Sequence, residues 1–142
     1  CALPIWVWPT EARPRAWARS AAAEMHSGFQ ALRNECSMSC GQRVVLRTRS
    51  QALESDLRRI NVLWQDGLSR FGGPFLAGPT FTAVDAFFAP VAYRFHTYGI
   101  TLGAVCDEYA GRLRALPAMQ DWYAAALIEP WREATTASGC AV

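Results

Sequence analysis

The sequence predicts an all-α fold, a bundle of about five helices, and three observations carry that expectation. Apolar residues recur at steps of three and four over several long stretches, the period of a helix, and no stretch alternates convincingly as a strand would. Thr82 with Asp85 is a Ser/Thr-x-x-Asp capping box placed at the head of the most apolar of these stretches, residues 81–95. Glycine and proline clusters, Gly72-Gly73-Pro74 and Gly78-Pro79, separate that stretch from the one before it. With 142 residues, 51% of them hydrophobic, the chain can fill one sizeable core. It divides into a non-native or linker segment (1–7), a helical domain (8–131) and a flexible tail (132–142).

The opening "CALPI" fits no element and resembles the translated end of a sequencing adapter, so sequence is expected to be missing before Trp6. Beyond Trp8-Pro9 a long helix is expected over roughly residues 10–36, with Pro14 tolerated in its first turn. Its seam is Ala18, Ala22, Met25, Phe29, Leu32 and Cys36, and a second face carries Arg19, His26, Gln30 and Arg33. Residues 37–47 read as a connection. Thr48 with Gln51 offers a second capping box, and Leu53, Leu57, Ile60, Trp64, Leu68 and Phe71 mark the face of a helix that pairs with the first as an antiparallel hairpin. Gly73 and Gly78 have the spacing of a P-loop, but Pro79-Thr80 stands where Lys and Ser/Thr are required, which excludes a phosphate cradle.

The capped stretch reads as the central buried helix, its core centred on Val84, Phe87, Val91 and Phe95, with Phe88 and Ala92 beside them. Pro90 should kink it, and Ala86 and Ala89 leave room for the bend. Two shorter helices close the bundle. Leu102, Val105, Tyr109, Leu113 and Leu116 stripe one; Pro117 opens the other, whose apolar residues include Met119, Trp122, Tyr123 and Leu127, and Pro130 ends it.

Charge excludes some functions. Fourteen basic against 12 acidic residues, without a basic block, indicate neither nucleic acid nor an anionic membrane. There is no apolar run of the roughly 18 residues a membrane helix needs and no signal-peptide pattern, so a soluble, cytoplasmic protein is expected. Five scattered cysteines predict reduced thiols. Cys36 and Cys40 lack the second Cys or His pair that a zinc site needs, so no metal is expected. Two histidines allow no nucleophilic constellation to be argued from their order. Asp85 reads as structural, its carboxylate taken up by the cap.

The stretch "FLAGPTFTAVDAFFAPV" resembles the sixth helix of glutathione transferases, and "ARSAAAEMHSGFQALRNE" resembles the fourth helix of the bacterial members. The resemblance runs over about residues 8–131 and keeps the family's order of elements. It implies the all-helical C-terminal domain, which in that family follows a thioredoxin-like domain that binds glutathione and supplies the catalytic Tyr, Ser or Cys. No residue of these 142 can be assigned that thiol-activating role. The chain by itself is therefore expected to be inactive, and the full-length protein to be a transferase and a homodimer that joins glutathione to a small electrophile.

The resemblance further implies one wall of the electrophile site, with His26, Phe29, Gln30, Arg33, Arg94 and Tyr98 as the positions in question. Four of them have a structural reading too. Phe29 also lies on the core seam, His26 fits an ordinary surface residue, and Arg33 and Arg94 could simply pair with neighbouring carboxylates. Two other readings of the whole chain stand beside this one: a non-catalytic relative serving as a binding or assembly module, and a generic bundle with a chance capping box.

Overall fold

A computed structural model describes residues 7–129 and 140–141. Among them the helices are α1 (Ala12–Ser27), α2 (Gln30–Glu35), α3 (Gln51–Phe71), α4 (Ala83–Tyr98), α5 (Ala104–Ala115) and α6 (Pro117–Ile128). The all-α expectation is met, with one addition. A two-residue strand, β1 (Val44–Val45), pairs antiparallel with β2 (Cys140–Ala141), Val44 opposite Ala141 and Val45 opposite Cys140. The expected end of the last helix at Pro130, most of the expected tail and residues 1–6 lie outside the described residues.

The single helix expected over 10–36 is two helices. Ser27-Gly28 ends α1, and Phe29 takes the left-handed conformation at φ 58°, unusual for a bulky residue. Gly28 donates to the Glu24 carbonyl at 2.8 Å, and a Cβ at residue 28 would stand 2.8 Å from that same oxygen. Phe29 offers α2 no side-chain cap; Asp56 on α3 supplies the acceptor instead, taking the Leu32 amide at 3.0 Å. The expected hairpin is correspondingly divided, because α2 packs on α3 whereas α1 lies chiefly along α4. Arg59 on α3 holds α1 through both oxygens of Glu24, at 2.5 and 2.7 Å.

The cap of α3 is Ser50, whose hydroxyl accepts the Leu53 amide at 3.0 Å, and not the expected Thr48. Leu53, Leu57, Ile60 and Trp64 are buried on this helix as the periodicity predicts. Trp64 is the centre of the core, fully buried, with the rings of Tyr109, Phe95 and Phe88 at 4.9, 5.5 and 5.8 Å. At the other end of α3, Trp17 crosses over Gly67 and donates to Asp66 at 2.7 Å.

The capping box at Thr82 and Asp85 is present, and the carboxylate half is the better formed. Asp85 Oδ2 accepts the Thr82 amide at 2.9 Å, and the Thr82 hydroxyl turns to donate to the same oxygen at 3.2 Å. The Asp85 amide bonds the Thr82 carbonyl at 3.0 Å. From there α4 runs through Pro90, whose ring faces out, to Tyr98, burying Val84, Phe88, Val91 and Phe95. Phe87, expected in the core, is 41% exposed: α4 is covered along one broad side, and Phe88 occupies the place against Trp64. In α5, Cys106, Tyr109 and Leu113 face the core while Val105 faces out.

Candidate functional site

Two helix ends and the second half of α4 bring part of the expected site together. Arg33, on α2, reaches back over the break and donates to the last carbonyls of α1, to His26 at 3.2 Å and to Met25. Arg94, on α4, donates through Nε to the Cys36 carbonyl at the end of α2 at 2.9 Å, and through Nη1 to its own helix at Pro90, 3.4 Å. Tyr98, one turn on and buried, shares a hydrogen bond of 3.2 Å with Ser37. Arg94 and Tyr98 thus meet the Cys36–Ser37 corner, and Arg33 stands near enough to act on the Arg94 charge. His26 and Gln30 are exposed on α1 and α2, while Phe29 is buried in the core.

The electrostatics of this corner are cationic. Burial, and then the nearby Arg33 charge, lower the pKa of Arg94 from its usual value. No carboxylate among the described residues forms an ion pair with either guanidinium. The Cys36 thiol is pushed up to about 11, by burial first and by Glu35 second, with Arg94 and Arg49 pulling the other way. It is protonated at neutral pH and therefore a poor nucleophile.

The larger grooves lie at the opposite end of α1. One of about 560 Å³ is lined by Trp8, Pro14, Arg70, Phe71 and the 77–80 turn, and one of about 700 Å³ by Arg13, Trp17, Ser20 and Phe71. None of the six expected residues lines either. Tyr98 does line a cleft of about 300 Å³ beside β1, with Arg43, Val44, Arg49 and His96. Arg43 and His96 were not singled out from the sequence, for they lie 53 residues apart and share no motif. Among the described residues no three His, Cys, Asp or Glu side chains come together as metal ligands, and no helix is long and apolar enough to cross a membrane.

A family model described as glutathione S-transferase, C-terminal domain, matches residues 15–125, from the first turn of α1 well into α6. The chain belongs to this family. A comparison with curated proteins finds no significant match. Membership supports a glutathione-transferase-like role, in a family whose substrate is glutathione and whose helical domain goes with a thioredoxin-like domain and with dimers. In this glutathione S-transferase domain the corner of Arg33, Arg94 and Tyr98 is built from α2, which lies in the first stretch that carried the sequence resemblance, and from the end of α4, which continues the second.

Proposed function

We propose that the domain forms the electrophile-binding wall of a cytoplasmic, homodimeric glutathione transferase whose thiol-activating group lies on a thioredoxin-like domain. The observation that carries this reading is the pair of guanidiniums, Arg33 and Arg94, held beside Tyr98 with no carboxylate ion pair among the described residues. In the reaction the glutathione thiolate attacks an electrophilic carbon; the new S–C bond forms and the leaving group departs with its electron pair. Each guanidinium has five N–H donors and uses only some of them on backbone carbonyls. The remainder can meet a polar substituent or the charge developing on the leaving group, while His26 and Gln30 form the exposed rim.

The domain fused behind a thioredoxin-like domain of the same family should conjugate glutathione to a chloronitrobenzene. Arg94→Ala in that fusion should lower kcat about 100- to 1000-fold, the order of loss seen when one transition-state donor is removed. The KM for glutathione should hardly move. The chain without that partner should give no turnover. Activity from the chain by itself, or an Arg94→Ala fusion with full kcat, would overturn the proposal.

One observation favours the alternative, a non-catalytic binding or assembly module. Arg33, Arg94 and Tyr98 all hold the α1–α2–α4 corner together through hydrogen bonds. On that reading Arg94→Ala lowers the melting temperature and leaves the activity per folded molecule unchanged.

A further inference from the structure

We infer that the cleft between β1 and the last turn of α4 is a binding site for a small tetrahedral oxyanion, free or as the monoester of a compact organic group. The site adjoins the Arg33–Arg94 corner through Tyr98, which lines the cleft, whereas neither guanidinium does. Arg43 and Arg49 come from the segment between α2 and α3, and His96 from α4, so the charges are brought to one place by the fold. Val44, Val45 and Leu46 make the apolar side, which suits the body of an ester. The volume, about 300 Å³, exceeds that of a bare ion.

The contact between Arg43 Nη2 and His96 Nε2 is the informative one. A guanidinium only donates, so Nε2 must be the accepting nitrogen of a neutral imidazole. The arrangement fits that state: burial, then Arg114 on α5 and Arg43, lower the pKa of His96, and no carboxylate among the described residues acts on it. Glu35 is engaged with Ser50, and Glu54 pairs loosely with Arg49 at 3.5 Å, which offsets part of that guanidinium's charge and leaves Arg43 as the principal cation of the cleft. Arg114 adds its own charge, and its buried Nε has no hydrogen-bond partner among the described residues. Arg43 and Arg49 in the lining, the charge of Arg114 acting on His96, and a histidine ring that bonds to a cation are together complementary to an anion. An oxyanion entering between Arg43 and His96 would accept from the guanidinium. The imidazole could then take a proton at Nε2 and donate to the same ligand, so binding is coupled to proton uptake.

The test is a proton NMR titration of the two histidine rings from about pH 5 to about pH 8, in chloride, in sulfate and in phenyl sulfate at equal ionic strength; neither sulfate titrates in this range. His26, exposed on α1, is the internal control. In chloride His96 should titrate below the usual histidine value. With saturating sulfate it should rise by about one unit if the ion binds about ten-fold tighter to the protonated ring, and His26 should not follow. Tighter binding of phenyl sulfate would assign the apolar side to an ester group; equal binding would assign the site to the free ion. Arg43→Ala, an exposed position that should leave the fold intact, should abolish the sulfate-induced rise. Arg49→Gln should reduce it. Equal movement of both histidines, or a rise that survives Arg43→Ala, would reduce the effect to charge screening and overturn the proposal. The outcome is separate from the transferase reading, which rests on Arg33 and Arg94.

Discussion

Asp85 shows how much one buried side chain can hold. Besides the Thr82 amide and hydroxyl it accepts the Leu76 amide at 3.0 Å and the Tyr109 hydroxyl at 2.9 Å, so one fully buried carboxylate ties the glycine loop, α4 and α5 to each other. Burial pushes this carboxyl above the ordinary carboxylate range, and its four donors pull it back. Asp85→Ala strands buried donors as well as removing a cap, so it should cost about 3–5 kcal/mol, against about 1 kcal/mol for Thr82→Ala. Denaturant midpoints for the two variants check this; equal losses would show that the long-range bonds are worth nothing. The box was legible because its partners are three residues apart; the bonds from Leu76 and Tyr109 were not, since nothing local marks a pairing across 9 and 24 residues. A second prediction concerns the thiols. Cys36 and Cys106 are both pushed to about 11, burial being the main cause in each. A raised thiol pKa gives stability that is present below the ordinary thiol value and is lost as pH climbs towards 11. Both thiols should therefore resist alkylation near pH 8 in the folded chain and react at once in denaturant, as peptide mapping by mass spectrometry would show.

At the scale of elements, the helices are ended and joined by groups from other elements. Arg33 closes the last turn of α1 from α2, and Asp56 opens α2 from α3. This is why the apolar period of residues 10–36 read as one helix although the chain breaks there. The seam from Ala18 to Leu32 stays buried on both sides of the break, and only Ser27-Gly28 carries a local signal for it. Arg94 belongs to the same class. Its acceptor is a backbone carbonyl 58 residues away, so the type of residue was legible and its partner was not. The α1–α3 crossing gives a sharp test at this scale. A Cβ at residue 67 would meet the Trp17 ring and stand 2.7 Å from the Leu76 carbonyl oxygen, so neither neighbour can give way cheaply. Gly67→Ala, which should help an isolated helix, should instead destabilise the protein by about 1–3 kcal/mol. The fluorescence of Trp17, moved off its place beside Phe71, would report the cause.

At the scale of the molecule, coverage of the helices is uneven, and α6 is the extreme. Ten of its twelve residues are apolar by type if Pro117 is counted among them, yet none is buried. Tyr123 stacks on Tyr93, and its hydroxyl accepts the Gly41 amide at 2.9 Å, so the helix is anchored along one edge. Trp122 also leans on Tyr93, at 5.4 Å, yet is 45% exposed, and Ile128 is 83% exposed. A helix that is apolar on nearly all sides is normally covered, and contiguous apolar surface on a soluble chain promotes association. Trp6, Trp8 and Trp17, the tryptophans nearest the start of the chain, are the other candidates for such a surface. Trp6 lies outside the described residues, Trp8 is packed against the core, and Trp17 is half-buried between Phe71 and Gly67. The adhesive surface should therefore be α6. The purified chain should bind a hydrophobic dye and scatter light increasingly with concentration, and Ala124→Lys with Ile128→Lys, both at exposed positions, should suppress both. Melting should shift by no more than about 0.5 kcal/mol, because exposed positions contribute little to the core. The paired change Val7→Lys and Val62→Lys, at exposed apolar residues elsewhere, is the control; if it suppressed association as well as the α6 pair does, stickiness would be a property of the whole surface and not of this helix.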